Sequence, residues 1–139
     1  MARILDASVL MHWLADEPLS VEATSLLESE ERLLAPVLAR SEVASGLWLQ
    51  QRCGRMSQGE VLERMSALAD SGVEFVDDPK LQLGAVRLAI ELKHSTYDCE
   101  YLALALDRDA ELITADDELW QLARMLIGER AIWLADVAT

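Results

Sequence analysis

The sequence is short of several residue types, and each shortage removes a class of protein. Its two cysteines, Cys53 and Cys99, are too few for a disulfide framework. They are read as reduced thiols of a cytoplasmic protein, and Cys99, inside an apolar stretch, as a packing residue. Two histidines and no His/Cys cluster argue against a zinc site. No apolar run reaches the roughly 18–20 residues of a membrane span. The N-terminus turns into a strand too early for a secretory signal, and no membrane partner is expected. No repeat, linker or low-complexity tract interrupts the chain. Basic residues are scarce: 12 Lys and Arg face 25 Asp and Glu, a net charge of −13. By default that counts against nucleic-acid binding, because phosphate contacts need Lys and Arg. Clustered carboxylates that bind cations would escape the objection, as would acid that receives a basic protein partner. Solvated acidic faces account for most of the excess.

What is present suits one domain over residues 1–139, since the chain is 52% hydrophobic and of ordinary domain length. Short strands alternate with helices. Ala2-Arg3-Ile4-Leu5-Asp6-Ala7-Ser8 reads as a strand that ends on a carboxylate, and residues 9–14 as the helix after it. Ser20 is placed to cap a helix over 21–30. A strand over 32–35 ends at Pro36, and a long helix over 37–52 carries Leu38, Val43, Leu47 and Leu49 as apolar positions. Ser57 and Glu60 match a capping box for the next helix, with Val61, Leu62, Met65 and Leu68 as its buried face. A strand over 73–76, a helix to about Lys93, an apolar helix over 97–107, a strand over 111–114, a helix over 116–127 and a strand over 131–134 complete the chain. This alternation predicts an α/β fold with a parallel sheet of about five strands between two layers of helices.

Four carboxylates stand out by position. Asp6 closes the first strand. Glu42 interrupts an apolar helix face, with the small Ser45 and Gly46 one turn on leaving room around it. Asp98 opens the most apolar helix, and Asp116 follows the fourth strand. In a parallel α/β sheet, strand ends and helix starts meet at the edge where ligands bind. Asp6, Asp98 and Asp116 are expected there, and Glu42 reaches it if its helix lines the crevice. Crowded carboxylates resist ionising, and a hard divalent cation such as Mg²⁺ or Mn²⁺ relieves the repulsion. Metals held this way suit phosphodiester hydrolysis. Each acid also has a plainer reading. Asp6 fits a turn, and Asp98 and Asp116 fit the capping boxes Ser95-Thr96-Tyr97-Asp98 and Thr114-Ala115-Asp116-Asp117. Glu42 is the hardest to dismiss, because an unpaired buried carboxylate is costly.

Four segments together resemble the PIN domain, and specifically the VapC-like ribonuclease toxins of toxin–antitoxin pairs. They are Ile4-Leu5-Asp6-Ala7-Ser8-Val9-Leu10; Ala35-Pro36 followed by Arg40-Ser41-Glu42-Val43-Ala44-Ser45-Gly46; Tyr97-Asp98-Cys99-Glu100-Tyr101-Leu102-Ala103-Leu104-Ala105; and Leu112-Ile113-Thr114-Ala115-Asp116. The resemblance spans essentially the whole chain. It implies a PIN-like three-layer fold and an Mg²⁺- or Mn²⁺-dependent endoribonuclease, with Asp6, Glu42, Asp98 and Asp116 as the metal-binding and catalytic set. Ser8 and Thr114 match positions that often carry a small hydroxyl residue, and are implied as orienting groups. Asp117 is an extra acid that either assists through a water or is a solvated helix-start residue. The resemblance also implies an RNA substrate, a homodimer and an antitoxin that lays a peptide across the acidic groove.

Arg3, Arg40, Lys80, Arg87 and Lys93 are candidates for RNA backbone contacts, most of them ordinary surface charges. His12 and His94 are read as structural or surface residues, because a metal supplies hydroxide without a general base. Trp13, Trp48, Trp120 and Trp133 are read as core or dimer interface rather than base-stacking platforms. Three rival readings stand beside the toxin: a housekeeping PIN nuclease, an inactive PIN-like interaction module, and a receiver-like phosphoacceptor. The last is disfavoured because Asp6 stands alone at its strand and no Lys follows Lys93.

Overall fold

Five short segments pair into one sheet in the computed structural model, which describes residues 1–15 and 17–139. They are β1 (Arg3–Leu5), β2 (Leu33–Pro36), β3 (Glu74–Val76), β4 (Glu111–Thr114) and β5 (Ala131–Trp133). Every pairing is parallel, in the order β3-β2-β1-β4-β5. Ile4, Leu34 and Leu112 are fully buried, as expected of strands covered on both faces. Among the described residues, seven α-helices cover them: α1 (Ala7–Leu14), α2 (Ser20–Leu27), α3 (Leu38–Arg52), α4 (Gln58–Ala69), α5 (Pro79–Leu92), α6 (Thr96–Arg108) and α7 (Asp117–Ile127). Right-handed crossovers put α1–α4 over one face and α5–α7 over the other. The packing agrees: α1 meets α2 and α3, α3 meets α4, and α6 meets α5 and α7. This is the expected α/β architecture.

The strand order locates the crevice. From β1 the chain steps to β2 and β3 on one side, then returns to lay β4 on the other side of β1. The carboxyl ends of β1 and β4 therefore flank the switch point, where open α/β sheets bind ligands. Register places Leu5 beside Ile113, so Asp6 and Thr114 leave the sheet next to one another.

Several local expectations are corrected. Ser20 does not cap α2: it is the first helical residue, the cap position is Leu19 without a side-chain bond, and the helix stops at Leu27. Leu62, expected on a buried face, is exposed, because burial on α4 falls on Leu68. Gly46 makes room for α1 rather than for Glu42, since a Cβ there would lie 2.9 Å from Met11 Sδ. The Ser57–Glu60 capping box forms in both directions. The other two expected boxes do not close. Ser95 Oγ accepts from the Tyr97 amide while the Asp98 carboxylate turns to His94, and Asp116 itself caps α7.

Candidate active site

Asp6 is the residue on which β1 ends and α1 begins. Its Oδ1 accepts from the Val9 amide at 3.3 Å and from Ser8 Oγ at 2.5 Å, and its Oδ2 accepts from Thr114 Oγ1 at 2.9 Å. The turn reading and the site reading of Asp6 thus hold at once. The same hydroxyls reach across to the end of β4. Ser8 Oγ accepts from the Ala115 amide at 2.9 Å, and Thr114 Oγ1 accepts from the Asp116 amide at 2.9 Å. Ser8 and Thr114 therefore hold the carboxylate in one orientation and tie the two strand ends together. Asp6 is 5% exposed, and burial pushes its carboxyl up to about 7, with the charge of Asp116 adding to the effect. Its three hydrogen bonds pull the other way and do not win.

Glu42 comes from the middle of α3. Tyr101 on α6 donates its hydroxyl to Glu42 Oε1 at 2.6 Å. Burial raises the Glu42 carboxyl, the Tyr101 bond lowers it, and the charges of Asp98 and Asp116 raise it further. The Tyr101 phenol is driven well above its usual range by burial and by the Glu42 carboxylate. Asp98 lies in the first turn of α6, and its Oδ2 is 2.7 Å from His94 Nε2. The other ring nitrogen of His94 lies 3.4 Å from Glu118 Oε1. Asp116 is exposed, and its Oδ1 accepts from the Leu119 amide at 3.1 Å. Its cap role is real and leaves the second oxygen free for other work. Asp117 is exposed and accepts from Gln121 Nε2 at 2.9 Å along its own helix, which matches a solvated helix start.

The four acids thus share one edge of the sheet. Asp116 is felt by both Asp6 and Glu42, and Asp98 by Glu42. Among the described residues, no three His, Cys, Asp or Glu side chains stand close enough to form a ready ligand cage. The donor chemistry nevertheless fits a hard divalent cation. The donors are all oxygen, the carboxyls of Asp6 and Glu42 are held above their usual range by burial and then by the neighbouring acids, and Mg²⁺ keeps several of its own waters.

Sequence reasoning gave no role to Tyr101 or Glu100, and read His94 only as a structural or surface residue. Tyr101 lies one turn beyond Asp98 on α6, a spacing that puts both on one helix face. His94 precedes Asp98 by four residues, and that i,i+4 relation was legible. Glu100 is 8% exposed, and burial followed by the charge of Glu42 raises its carboxyl. An acid inside so apolar a helix was the available signal. Of the candidate cations, Arg3 belongs to the wrong edge: it pairs with Glu111 at 3.1 Å where β1 and β4 begin. Arg40 stacks on Phe75 at 5.0 Å. His12 accepts weakly from the Leu19 amide at 3.4 Å, the structural role expected of it. Trp120 and Trp133 pack edge to face at 5.9 Å and adjoin the core, while Trp48 is exposed.

A doubly wound parallel sheet with buttressed carboxylates at its switch point defines an α/β protein with a candidate site on an acidic strand edge. A match to the PIN domain covers residues 3–125, and the chain belongs to that family. PIN domains are typically nucleases, and their VapC members typically depend on metal. Ribonuclease VapC3 of Pyrobaculum aerophilum is 30% identical over 125 residues, 86% of this chain and 92% of that protein. Among solved structures, PAE2754 from Pyrobaculum aerophilum superposes with a TM-score of 0.75 at 24% identity, over 97% of this chain and 85% of that one. VapBC2 from Rickettsia felis, bound to a DNA fragment from its promoter, reaches 0.64 at 14% identity, over 96% and 97%. VapBC-1 from nontypeable Haemophilus influenzae reaches 0.64 at 19%, over 96% of each chain. These structures share the fold. Among the described residues, no helix is long and apolar enough to cross a membrane.

Proposed function

We propose that the chain, acting as one domain over residues 1–139, is a metal-dependent endoribonuclease and the toxin of a toxin–antitoxin pair in the cytoplasm. The observation that carries this reading is the buried Asp6, held by Ser8 and Thr114 at the switch point with Asp116 beside it. The 30% identity to a protein named a ribonuclease VapC supports the choice of RNA. Asp6, Glu42, Asp98 and Asp116 are the residues that would hold Mg²⁺ or Mn²⁺. When bound, such an ion polarises the phosphoryl oxygen and lowers the pKa of a coordinated water. The chain's own groups do the positioning. Ser8 and Thr114 fix Asp6, Tyr101 occupies Oε1 of Glu42 and leaves Oε2 available, and His94 fixes Asp98. In this reading a basic antitoxin tail is drawn to the acidic groove by its charge, and the toxin works as a homodimer.

The test is RNA cleavage by purified wild type, Asp6→Asn and Asp98→Asn in Mg²⁺ or Mn²⁺, with circular dichroism to verify folding. Both variants should be inactive and folded; full activity in either rejects the assignment. A second reading, the inactive interaction module, draws on the lack of a ready three-group cage among the described residues. Calorimetry with Mn²⁺ separates the two, since a module would show no binding. A housekeeping RNA-processing nuclease would use the same site, and would be favoured if induced expression caused no growth arrest.

A further inference from the structure

Glu42 belongs to two features at once. It is a member of the acid cluster, and it also lines a surface hollow of about 280 Å³ with Leu38, Ser41, Ser45 and Tyr97. Leu38, Ser41, Glu42 and Ser45 follow one another at i, i+3, i+4 and i+7, so they form one stripe along α3. Such a stripe is normally covered by a neighbouring element. Here Ser41 and Ser45 are exposed, and the wall opposite includes Tyr97, the residue before Asp98 at the start of α6. Tyr97 is 60% exposed. Trp48, the other exposed aromatic among the described residues, carries the Arg52 guanidinium on its face at 5.5 Å.

Resting on the nuclease reading, we propose that this hollow is a nucleobase subsite, which takes one unstacked base of single-stranded RNA next to the phosphate to be cut. A base has two apolar faces and a polar edge. Leu38 and the Tyr97 ring offer apolar surface for its faces, and the Ser41 and Ser45 hydroxyls can donate to or accept from its edge. Charge points the same way. With a net charge of −13, and Arg3 committed to an ion pair at the far edge, the protein is poorly equipped to hold RNA by phosphate contacts. Base stacking on an aromatic ring needs no cation and is tolerant of sequence.

The experiment is fluorescence anisotropy with a labelled, cleavage-resistant single-stranded oligonucleotide, alongside steady-state cleavage of the RNA version. Tyr97→Ala, and Ser45→Leu, which fills the hollow, should each weaken binding about tenfold and raise KM more than they lower kcat. Tyr97→Phe keeps the ring and should stay within about twofold of wild type. An oligonucleotide with an abasic position at the cleavage site should bind wild type no better than the intact one binds Tyr97→Ala. If wild type binds and cleaves RNA while Tyr97→Ala and Ser45→Leu match it, the subsite is overturned and the nuclease stands. If these variants lose only the binding of a protein partner, the subsite is likewise overturned. If wild type neither binds nor cleaves RNA, both readings fall.

Discussion

The two ends of the β1–β4 pair are built from similar parts to opposite effect. At the amino end, Arg3 Nε lies 3.1 Å from Glu111 Oε1, and the opposite charges cancel in a partly exposed pair. At the carboxyl end, a few residues further along the same strands, Asp6 is buried against Thr114 with the charge of Asp116 pressing on it. One end neutralises charge with a basic side chain, and the other gathers acids and orients Asp6 with hydroxyls. An arrangement that spends stability in this way is the kind expected of a functional site.

Asp6→Asn should break the contrast most strongly. Cleavage should fall by at least about a hundredfold, and Mn²⁺ binding measured by calorimetry should be lost. The metal-free protein should nevertheless become more stable at neutral pH. The Asp6 carboxyl titrates near 7 in the folded protein against 3.8 when unperturbed, so its ionisation is paid for by the fold. That cost is absent below about pH 4, grows as pH rises towards 7, and is constant above it. At most it amounts to about 4 kcal/mol. Thermal melts of wild type and Asp6→Asn across that window should therefore diverge as pH rises. Parallel curves would remove the claim of a strained carboxylate.

Thr114→Val should come next. It keeps the shape but removes the donor to Asp6 and the acceptor for the Asp116 amide. Activity should drop about tenfold to a hundredfold, with a loss of roughly 1–3 kcal/mol in denaturant melts. His94→Ala frees Asp98 and should weaken Mn²⁺ affinity about tenfold. His94→Gln, which offers an amide in place of the ring nitrogen, should recover part of it in the same calorimetric titration. The smallest effect should belong to Arg3→Ala at the opposite end. Cleavage should be unchanged, and stability should fall by no more than about 1 kcal/mol. A large loss of activity in Arg3→Ala would erase the distinction between the two ends.

Much of this was legible along the chain. Apolar segments of strand length ahead of helical periodicities marked all five strands, because a sheet buried on both faces demands them. Asp6, Asp98 and Asp116 were legible because each sits where a strand ends or a helix starts. The local errors have a common source. Leu62 was assigned inward from its chemistry, but which side of a helix is covered depends on the neighbours it meets. Gly46 looked like space for Glu42 until Met11 of α1 was found filling it. That Arg3 lies away from the acids was foreseeable, since a residue that opens a parallel strand lies at the edge opposite one that closes it.

The sequence by itself determined the alternation of strands and helices, the family and the residues able to carry negative charge, because periodicity, turn chemistry and residue type are local properties. Only the tertiary structure decided that β4 lies beside β1, that Thr114 supports Asp6 from 108 positions away, and that Tyr101 clamps Glu42 across two helices. These are hydrogen bonds of a few ångströms between distant parts of the chain. Their existence depends on strand order and register, which only the packing of the whole core sets.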